Sequence, residues 1–241
     1  MVHADRPRRI GMIVPSSNTC LEPMSYRVLG ARKDATVHSA RIPVTRIALD
    51  AGSDRQFDVA GMRSAAELLA SAAVDVIAWN GTSGSWLGPD HDRAIAAEIT
   101  AATGIPATTS TLAYLDAFAQ FGTGSIGLFT PYTPDVNLQV IERYAEAGIH
   151  TCGHRALGLS DNESFARVDP AELVPGSLEL AAGRPDAIVY LCTNLYGAAV
   201  AAEIEESTGV PVLDSVAVTL WRCLQLVGPP LLDPRWGRLL A

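Results

Sequence analysis

The sequence has few cysteines, and their spacing does not suit a metal. Its 241 residues include four of them, Cys20, Cys152, Cys192 and Cys223, and none is paired in the Cys-x-x-Cys spacing of a zinc or redox site. We therefore expect no metal. The first residues also lack the apolar stretch and small-residue cleavage site that mark an exported protein. The expectation is a cytoplasmic protein with reduced thiols.

Long hydrophobic runs and strong positive charge are also missing. No apolar run reaches the roughly 20 residues that a membrane-spanning helix needs. The net charge is −8 at pH 7, and no basic run occurs beyond Arg6–Arg9, whereas nucleic-acid-binding proteins present basic patches to phosphates. Neither a membrane nor a nucleic acid is therefore expected as a partner. With 48% hydrophobic and 18% charged residues, the chain should form a globular fold with a packed core.

Short apolar runs alternate with stretches of helical periodicity along the chain. The runs predict strands at Ile10–Pro15, Ala35–Val44, Val74–Trp79, Ser125–Thr130, His150–Leu157 and Asp186–Leu191. Strands that alternate with helices indicate an α/β fold with parallel sheets. Ligands of such sheets bind beyond the C-terminal ends of the strands.

The two halves of the chain repeat each other. The segment 74–85 aligns with 185–196, and a Thr-Gly-x-Pro sequence follows each segment in the same order, at Thr103–Pro106 and Thr208–Pro211. The repeat predicts two similar lobes related by a pseudo-twofold axis. Each lobe should hold a parallel sheet flanked by helices, with an active-site cleft between the lobes.

The repeat also sets the expected domain limits. We expect a first α/β lobe over residues 1–120, with a crossing of 212–227 back to it as an option, and a second lobe over 121–227. A C-terminal tail, residues 228–241, should then lie along the surface or along a second subunit. Because this tail is apolar and proline-rich, a homo-oligomer is expected.

Cys192 stands at the tip of one of the repeated strands. It follows Asp186–Leu191 and precedes a helix-compatible stretch, Leu195–Glu206. Backbone N–H groups at a helix start favour a thiolate, which is the reactive form of cysteine. An unreactive core cysteine is the alternative. The repeat adds a counterpart to Cys192, because Gly81 occupies the matching position of the first half.

Polar residues follow the other strand tips, and each has a purely structural alternative. Residues that could simply cap helices are Asn18, Thr82, Ser83 and Asn162. Tyr132 could be a packing residue, as Trp79 and Trp86 are interpreted here. The placement of these polar groups at four strand tips of a duplicated fold favours a binding site over separate caps.

The motifs at the strand tips resemble those of the aspartate/glutamate racemase superfamily, in the branch of maleate cis-trans isomerase and arylmalonate decarboxylase. They are Val14–Thr19, Gly81–Ser83, Thr130–Asn137 and Leu191–Thr193. The resemblance implies two α/β lobes, no cofactor and a small carboxylic acid as the substrate. Racemases of this superfamily act with one cysteine from each lobe. Here the first cysteine is replaced by Gly81, which argues against two-base racemisation.

A first-lobe glycine combined with Cys192 resembles arylmalonate decarboxylase, a lyase. This resemblance implies that Cys192 is the catalytic residue and protonates the enediolate that remains after CO₂ is lost. The substrate-binding residues that it implies are Asn18, Gly81, Thr82, Ser83, Tyr132, Asn162 and Thr193. Hydroxyl and N–H donors of this kind stabilise a developing dianion more than a ground-state carboxylate.

The polar turn Pro15–Thr19 resembles the maleate isomerase branch instead. There an asparagine at the position of Asn18 holds a substrate carboxylate, and a second one lies near the position of Asn162. Arylmalonate decarboxylase has an apolar stretch in place of Ser16–Asn18. The sequence therefore leaves open a decarboxylase of a malonate-type acid and a cis-trans isomerase or other carbon-acid isomerase or racemase. A non-catalytic carboxylate-binding relative is the third reading.

Overall fold

Two four-stranded parallel sheets with helices on their faces form the fold, in a computed structural model that describes residues 6–57, 59–228 and 236–238. The predicted two-lobed α/β architecture is confirmed. The strands are β1 (Arg8–Pro15), β2 (Ala35–Ile42), β3 (Val76–Trp79), β4 (Ala107–Thr109), β5 (Ser125–Thr130), β6 (His150–Ala156), β7 (Ala187–Tyr190) and β8 (Val212–Asp214). The helices are α1 (Leu21–Leu29), α2 (Ala51–Asp54), α3 (Val59–Ser71), α4 (Gly84–Leu87), α5 (Pro89–Thr103), α6 (Ser110–Phe121), α7 (Pro134–Glu146), α8 (Pro170–Ala182), α9 (Ala201–Thr208) and α10 (Ser215–Val227).

The internal repeat is confirmed in the backbone. The strand orders are β2-β1-β3-β4 and β6-β5-β7-β8, so each strand of the first lobe has its counterpart at the same place in the second. Both Thr-Gly-x-Pro sequences end a helix on a left-handed glycine, with φ of 71° and 74°. The N–H of Ile77 donates to the carbonyl of Pro106 at 3.0 Å, and Ile188 donates to Pro211 at 2.8 Å. The same four-residue signal therefore sets the same strand pairing twice.

The last helix of each repeat contacts the opposite lobe. In α6, which ends the first repeat, the Tyr114 hydroxyl donates to the carbonyl of Tyr190 in β7 at 2.7 Å. In the second repeat, α10 packs against β1 and β3 of the first sheet. The two helices also contact each other, and the Thr219 hydroxyl donates to that of Ser110 at 2.8 Å. These contacts of α6 and α10 join the central strands of the two lobes.

The chain after Cys192 differs from the prediction. The sequence of Leu195–Glu206 is compatible with a helix throughout, but Gly197–Ala199 forms a single 3₁₀ turn and α9 begins only at Ala201. A Cβ on Gly197 would lie 2.6 Å from the ring of Tyr190. Because the chain passes so closely over this ring, it turns before it can enter a helix.

The tail predicted over residues 228–241 is described only at Gly228 and residues 236–238. There the guanidinium of Arg27 lies 5.4 Å from the centre of the Trp236 ring, and the N–H of Arg238 donates to Glu205 at 2.8 Å. These three residues therefore lie against α1 and α9. None of the helices in the described ranges is long and apolar enough to cross a membrane.

Candidate active site

A narrow cavity of about 20 Å³ lies where the C-terminal ends of the central strands of both lobes meet. Its wall is formed by Pro15, Val44, Ile47, Phe57, Trp79, Gly81, Thr82, Ser83, Trp86, Tyr132, Asn162, Cys192 and Thr193. Every site residue predicted from the sequence is among them except Asn18. The described residues of the wall include no Asp, Glu, Lys, Arg or His. Any anion in this cavity would be held by hydroxyl and N–H groups.

Cys192 is buried in this wall, two residues after the end of β7, with 3% of its surface exposed. The N–H of Asn194 donates to its Sγ at 3.3 Å, and the Tyr132 hydroxyl contacts the thiol as well. The neighbouring Thr193 donates its hydroxyl to the carbonyl of Asn80 at 2.9 Å. This bond links the Cys192 turn of the second lobe to the Gly81 turn of the first.

The thiol of Cys192 is protonated at neutral pH. Burial raises its pKa to about 12, which the hydrogen bonds from Asn194 and Tyr132 only partly offset, and the nearby Asp214 raises it further. A helix start at this point would favour the thiolate instead, whereas the role of proton donor implied by the family resemblance needs the thiol. No α-helix begins at Cys192, so desolvation of the charged form decides the direction.

Thr82 and Tyr132 form a hydroxyl pair across the two lobes. Their oxygens lie 2.7 Å apart, and Tyr132 is 2% exposed. Burial raises the pKa of Tyr132 well above its ordinary value, so the phenol keeps its proton. Ser83 precedes α4, but its side chain makes no capping bond and instead accepts from Nε1 of Trp79 at 3.4 Å. The capping alternative therefore does not apply to Ser83.

For Asn18, the structure favours the capping alternative. Its Oδ1 accepts from the N–H groups of Cys20 at 3.0 Å and Leu21 at 2.8 Å, at the start of α1. Its Nδ2 donates to the hydroxyl of Thr193 at 3.1 Å. Both the oxygen and the nitrogen of the amide thus have partners inside the protein. Asn18 is not among the residues of the cavity wall.

Asn162 and Asn194 join the polar turn of the first lobe to the second lobe. The side chain of Asn162 makes no helix cap; its Nδ2 donates to the hydroxyl of Ser17 at 2.8 Å. The Oδ1 of Asn194 accepts from the N–H groups of Thr19 and Cys20 at 2.9 and 3.0 Å. Asn194 was not among the predicted site residues, although it directly follows the Leu191–Thr193 motif.

The rest of the cavity wall is aromatic and aliphatic, and its role was not predicted from the sequence. Phe57 contacts Trp79 with ring centres 6.2 Å apart and Trp86 at 5.8 Å. Trp86 in turn packs edge-on against Tyr132 at 5.5 Å. The two tryptophans pack as expected, but they also line the cavity. The signal in the sequence was the position of Trp79, at the end of β3 and two residues before Gly81.

A buried carboxylic acid, Asp92, lies behind the Gly81–Ser83 turn. Asp92 in α5 is fully buried, and neither of its carboxyl oxygens makes a well-formed hydrogen bond. A Cβ on Gly84 would lie 2.1 Å from its Oδ2, so only glycine fits there. Burial raises the pKa of Asp92 to about 7, although the hydroxyls of Thr109 and Thr111 and the Gly84 N–H lower it in part.

The chain is similar in sequence to two kinds of enzyme. A family model described as arylmalonate decarboxylase matches residues 10–240. The chain is 33% identical over 168 residues to arylmalonate decarboxylase of Bordetella bronchiseptica, covering 68% of this chain and 70% of that protein. It is 29% identical over 246 residues to maleate isomerase of Geobacillus stearothermophilus, covering 97% of each.

A solved structure gives the same result for the fold. The maleate isomerase Iso of Pseudomonas putida S16 superposes on this chain with a TM-score of 0.88 and 26% identity, covering 97% of this chain and 98% of that one. Similarity therefore extends to both kinds of enzyme and does not separate them.

Proposed function

Since the chain belongs to the arylmalonate decarboxylase family, we propose that it is a cofactor-independent decarboxylase of a malonate-type acid. The bond between the α-carbon and one carboxylate breaks, CO₂ leaves, and the electron pair stays on the α-carbon as an enediolate. The Cys192 thiol then gives its proton to that carbon. Water reprotonates the thiolate before the next turnover.

The observation that carries this proposal is a single protonated thiol in the cavity wall. A proton donor has to hold its proton until the carbanion forms, and burial with a pKa of about 12 keeps Cys192 in that state. The matching position of the first lobe is Gly81, which has no group that can take or give a proton. Cys192 therefore acts on one face of a planar intermediate.

The surviving carboxylate fits the polar corner of the cavity. The hydroxyls of Thr82 and Tyr132, 2.7 Å apart, and the N–H groups of the Gly81–Ser83 turn can donate to its oxygens. Charge on these oxygens increases when the enediolate forms, so fixed donors stabilise the transition state more than the bound acid. The departing carboxylate would lie towards the apolar wall, where nothing compensates its charge.

A substrate panel tests the reaction. We expect CO₂ release from phenylmalonate or an alkylmalonate, followed by coupled colorimetric assay, and one α-deuterium in the product acid when the reaction runs in D₂O. Maleate belongs in the same panel, with fumarate measured by proton NMR. Turnover of maleate without CO₂ release from any malonate would overturn the proposal.

The second candidate is a cis-trans isomerase of maleate or a related acid. It is favoured by the 97% coverage of the maleate isomerase of G. stearothermophilus and by the polar turn Pro15–Thr19. Addition of a cysteine to the double bond needs a thiolate, and burial of Cys192 opposes that form. One N–H of the Asn18 amide bonds Thr193, and Asn18 is not among the residues of the cavity wall, so the expected clamp for a second carboxylate does not line the cavity. These two observations are why we rank this candidate second.

Removing either hydroxyl of the polar corner should slow catalysis. In Tyr132→Phe and Thr82→Val we expect kcat to fall about 10²-fold with a smaller change in KM, because each hydroxyl acts most strongly on the developing charge. Tyr144→Phe is the matched control, since this buried tyrosine bonds the Ser85 hydroxyl at 3.1 Å outside the cavity wall. An equal loss in the control, or a change in KM alone, would remove this role.

A further inference from the structure

The indole of Trp79 lies directly over Gly81. A Cβ built on Gly81 would come within 2.2 Å of Cζ2 and 2.4 Å of Cε2 of this ring. Residues two apart on a strand point to the same face of the sheet, and Trp79 is the last residue of β3. The space into which a side chain at position 81 would project is therefore filled by the indole.

The repeat gives this overlap a meaning. Position 81 is the counterpart of Cys192, and both residues line the same cavity. The turns that carry them are joined by the bond from Thr193 to the carbonyl of Asn80 at 2.9 Å. The indole thus stands where a second catalytic side chain would stand in a symmetric site.

The ring is also firmly held. Trp79 is fully buried, packs against Phe57 with ring centres 6.2 Å apart and donates from Nε1 to the Ser83 hydroxyl at 3.4 Å. Well-packed interiors do not yield freely to added volume. The indole is a fixed wall of the cavity.

We propose that Trp79 is the specificity-determining residue of this site. Its indole covers the face of the bound acid opposite the Cys192 thiol and limits the size of the substituent that fits there. The stereochemical part of this role rests on the proposed decarboxylation. With the indole in place, neither water nor a second side chain reaches the far face, so the product has one handedness.

The position of the indole can be tested without any substrate. Gly81→Ala should lower the melting temperature by about 5 °C in the parent protein, because the methyl group meets the ring. In the Trp79→Leu background the same substitution should cost less than about 2 °C. Gly61→Ala, at a glycine with open space around it in α3, should cost nothing in either background. Equal losses from Gly81→Ala in both backgrounds would refute the overlap.

The effect on specificity can be measured by binding alone. Calorimetry should show the parent protein binding phenylacetate at least about 10-fold more tightly than 1-naphthylacetate, and Trp79→Leu should reverse or abolish that preference. Trp221→Leu, at a buried tryptophan of α10 outside the cavity wall, should keep the preference. An unchanged preference in Trp79→Leu, or no binding of either acid to any of these proteins, would overturn the role of Trp79.

A catalytic readout separates this inference from the proposed function. If the parent protein decarboxylates an α-methyl-α-arylmalonate, the enantiomeric excess of the product should fall in Trp79→Leu and stay unchanged in Trp221→Leu. Absence of CO₂ release from every malonate would refute the decarboxylase alone, since the binding preference does not depend on turnover. Release with an unchanged enantiomeric excess in Trp79→Leu would refute the shielding of the far face.

Discussion

A Cys192→Ala variant should lose at least about 10³-fold in kcat towards the malonate-type acid while it still binds the product acid. A positioned general acid contributes about 10²- to 10⁴-fold, and no other described residue of the cavity wall carries a thiol. The fold should persist, because a methyl group replaces a small buried side chain. The steady-state rate of product-acid formation and calorimetric binding of the product measure the two effects separately.

Cys152→Ala is the matched control for this result. Cys152 is an exposed thiol in β6, outside the cavity wall, so kcat should stay within about twofold of the parent value. Because burial raises the pKa of Cys192 to about 12, kcat of the parent protein should show no thiol ionisation between about pH 7 and 10. More than a tenth of the parent activity in Cys192→Ala would exclude the thiol as the proton donor.

An Asp92→Asn variant should be more stable than the parent protein at alkaline pH. The carboxyl of Asp92 has a pKa of about 7 in the folded chain against an ordinary value of 3.8. This difference corresponds to about 4 kcal/mol of unfolding free energy. At pH 8.5 we expect the melting temperature of the variant to lie about 10 °C above that of the parent.

The direction of this pH dependence of stability follows from which state, folded or unfolded, binds the proton. Below pH 3.8 the carboxyl is neutral in both states, so it contributes no difference. Between that pH and about 7 only the folded chain holds the proton, and stability falls as the pH rises. Above about pH 8 the folded chain buries a charge and the loss is complete. The amide of the variant has no such transition.

Thermal melts from pH 4 to 9 measure this difference. Asp90→Asn is the matched control on the same helix, because the Asp90 side chain is 95% exposed and its ion pair with Arg93 lies in solvent. Exposed pairs contribute about 0–1 kcal/mol, so this control should follow the parent at every pH. Parallel profiles of Asp92→Asn and the parent would contradict the buried charge.

The fold was predictable because its signals are local and occur twice. The apolar runs and the glycine of each Thr-Gly-x-Pro sequence act through neighbours in the chain, and the repeat supplied a second copy of each. The left-handed glycines at 104 and 209 needed no knowledge of distant contacts. The same periodicity failed at Leu195–Glu206, where the ring of Tyr190 diverts the chain.

The residues that form the site could be predicted from the sequence better than their protonation and their hydrogen bonds. Ligands of parallel sheets bind beyond the C-terminal ends of the strands, and this rule predicted that Cys192, Thr82 and Tyr132 surround one cavity. The proton on Cys192 depends on burial by both lobes, and the partners of Asn18 lie 175 residues away in one case. Neither can be read from local sequence. The overlap of Trp79 with Gly81 is different, because Gly81 follows the end of β3 by two residues, and the alternation of an extended chain places both on one face.

The contacts that α6 and α10 make with the opposite lobes have a consequence for symmetry. If one repeat were a separate chain, it would cover its sheet with the last helix of a second copy, as a twofold dimer. Such a dimer carries the same residue at both equivalent positions, so its cavity would hold two thiols or none. With both repeats on one polypeptide, position 81 and position 192 could diverge. A thiol on one side of the cavity and none on the other is thus an arrangement that only the fused chain can have.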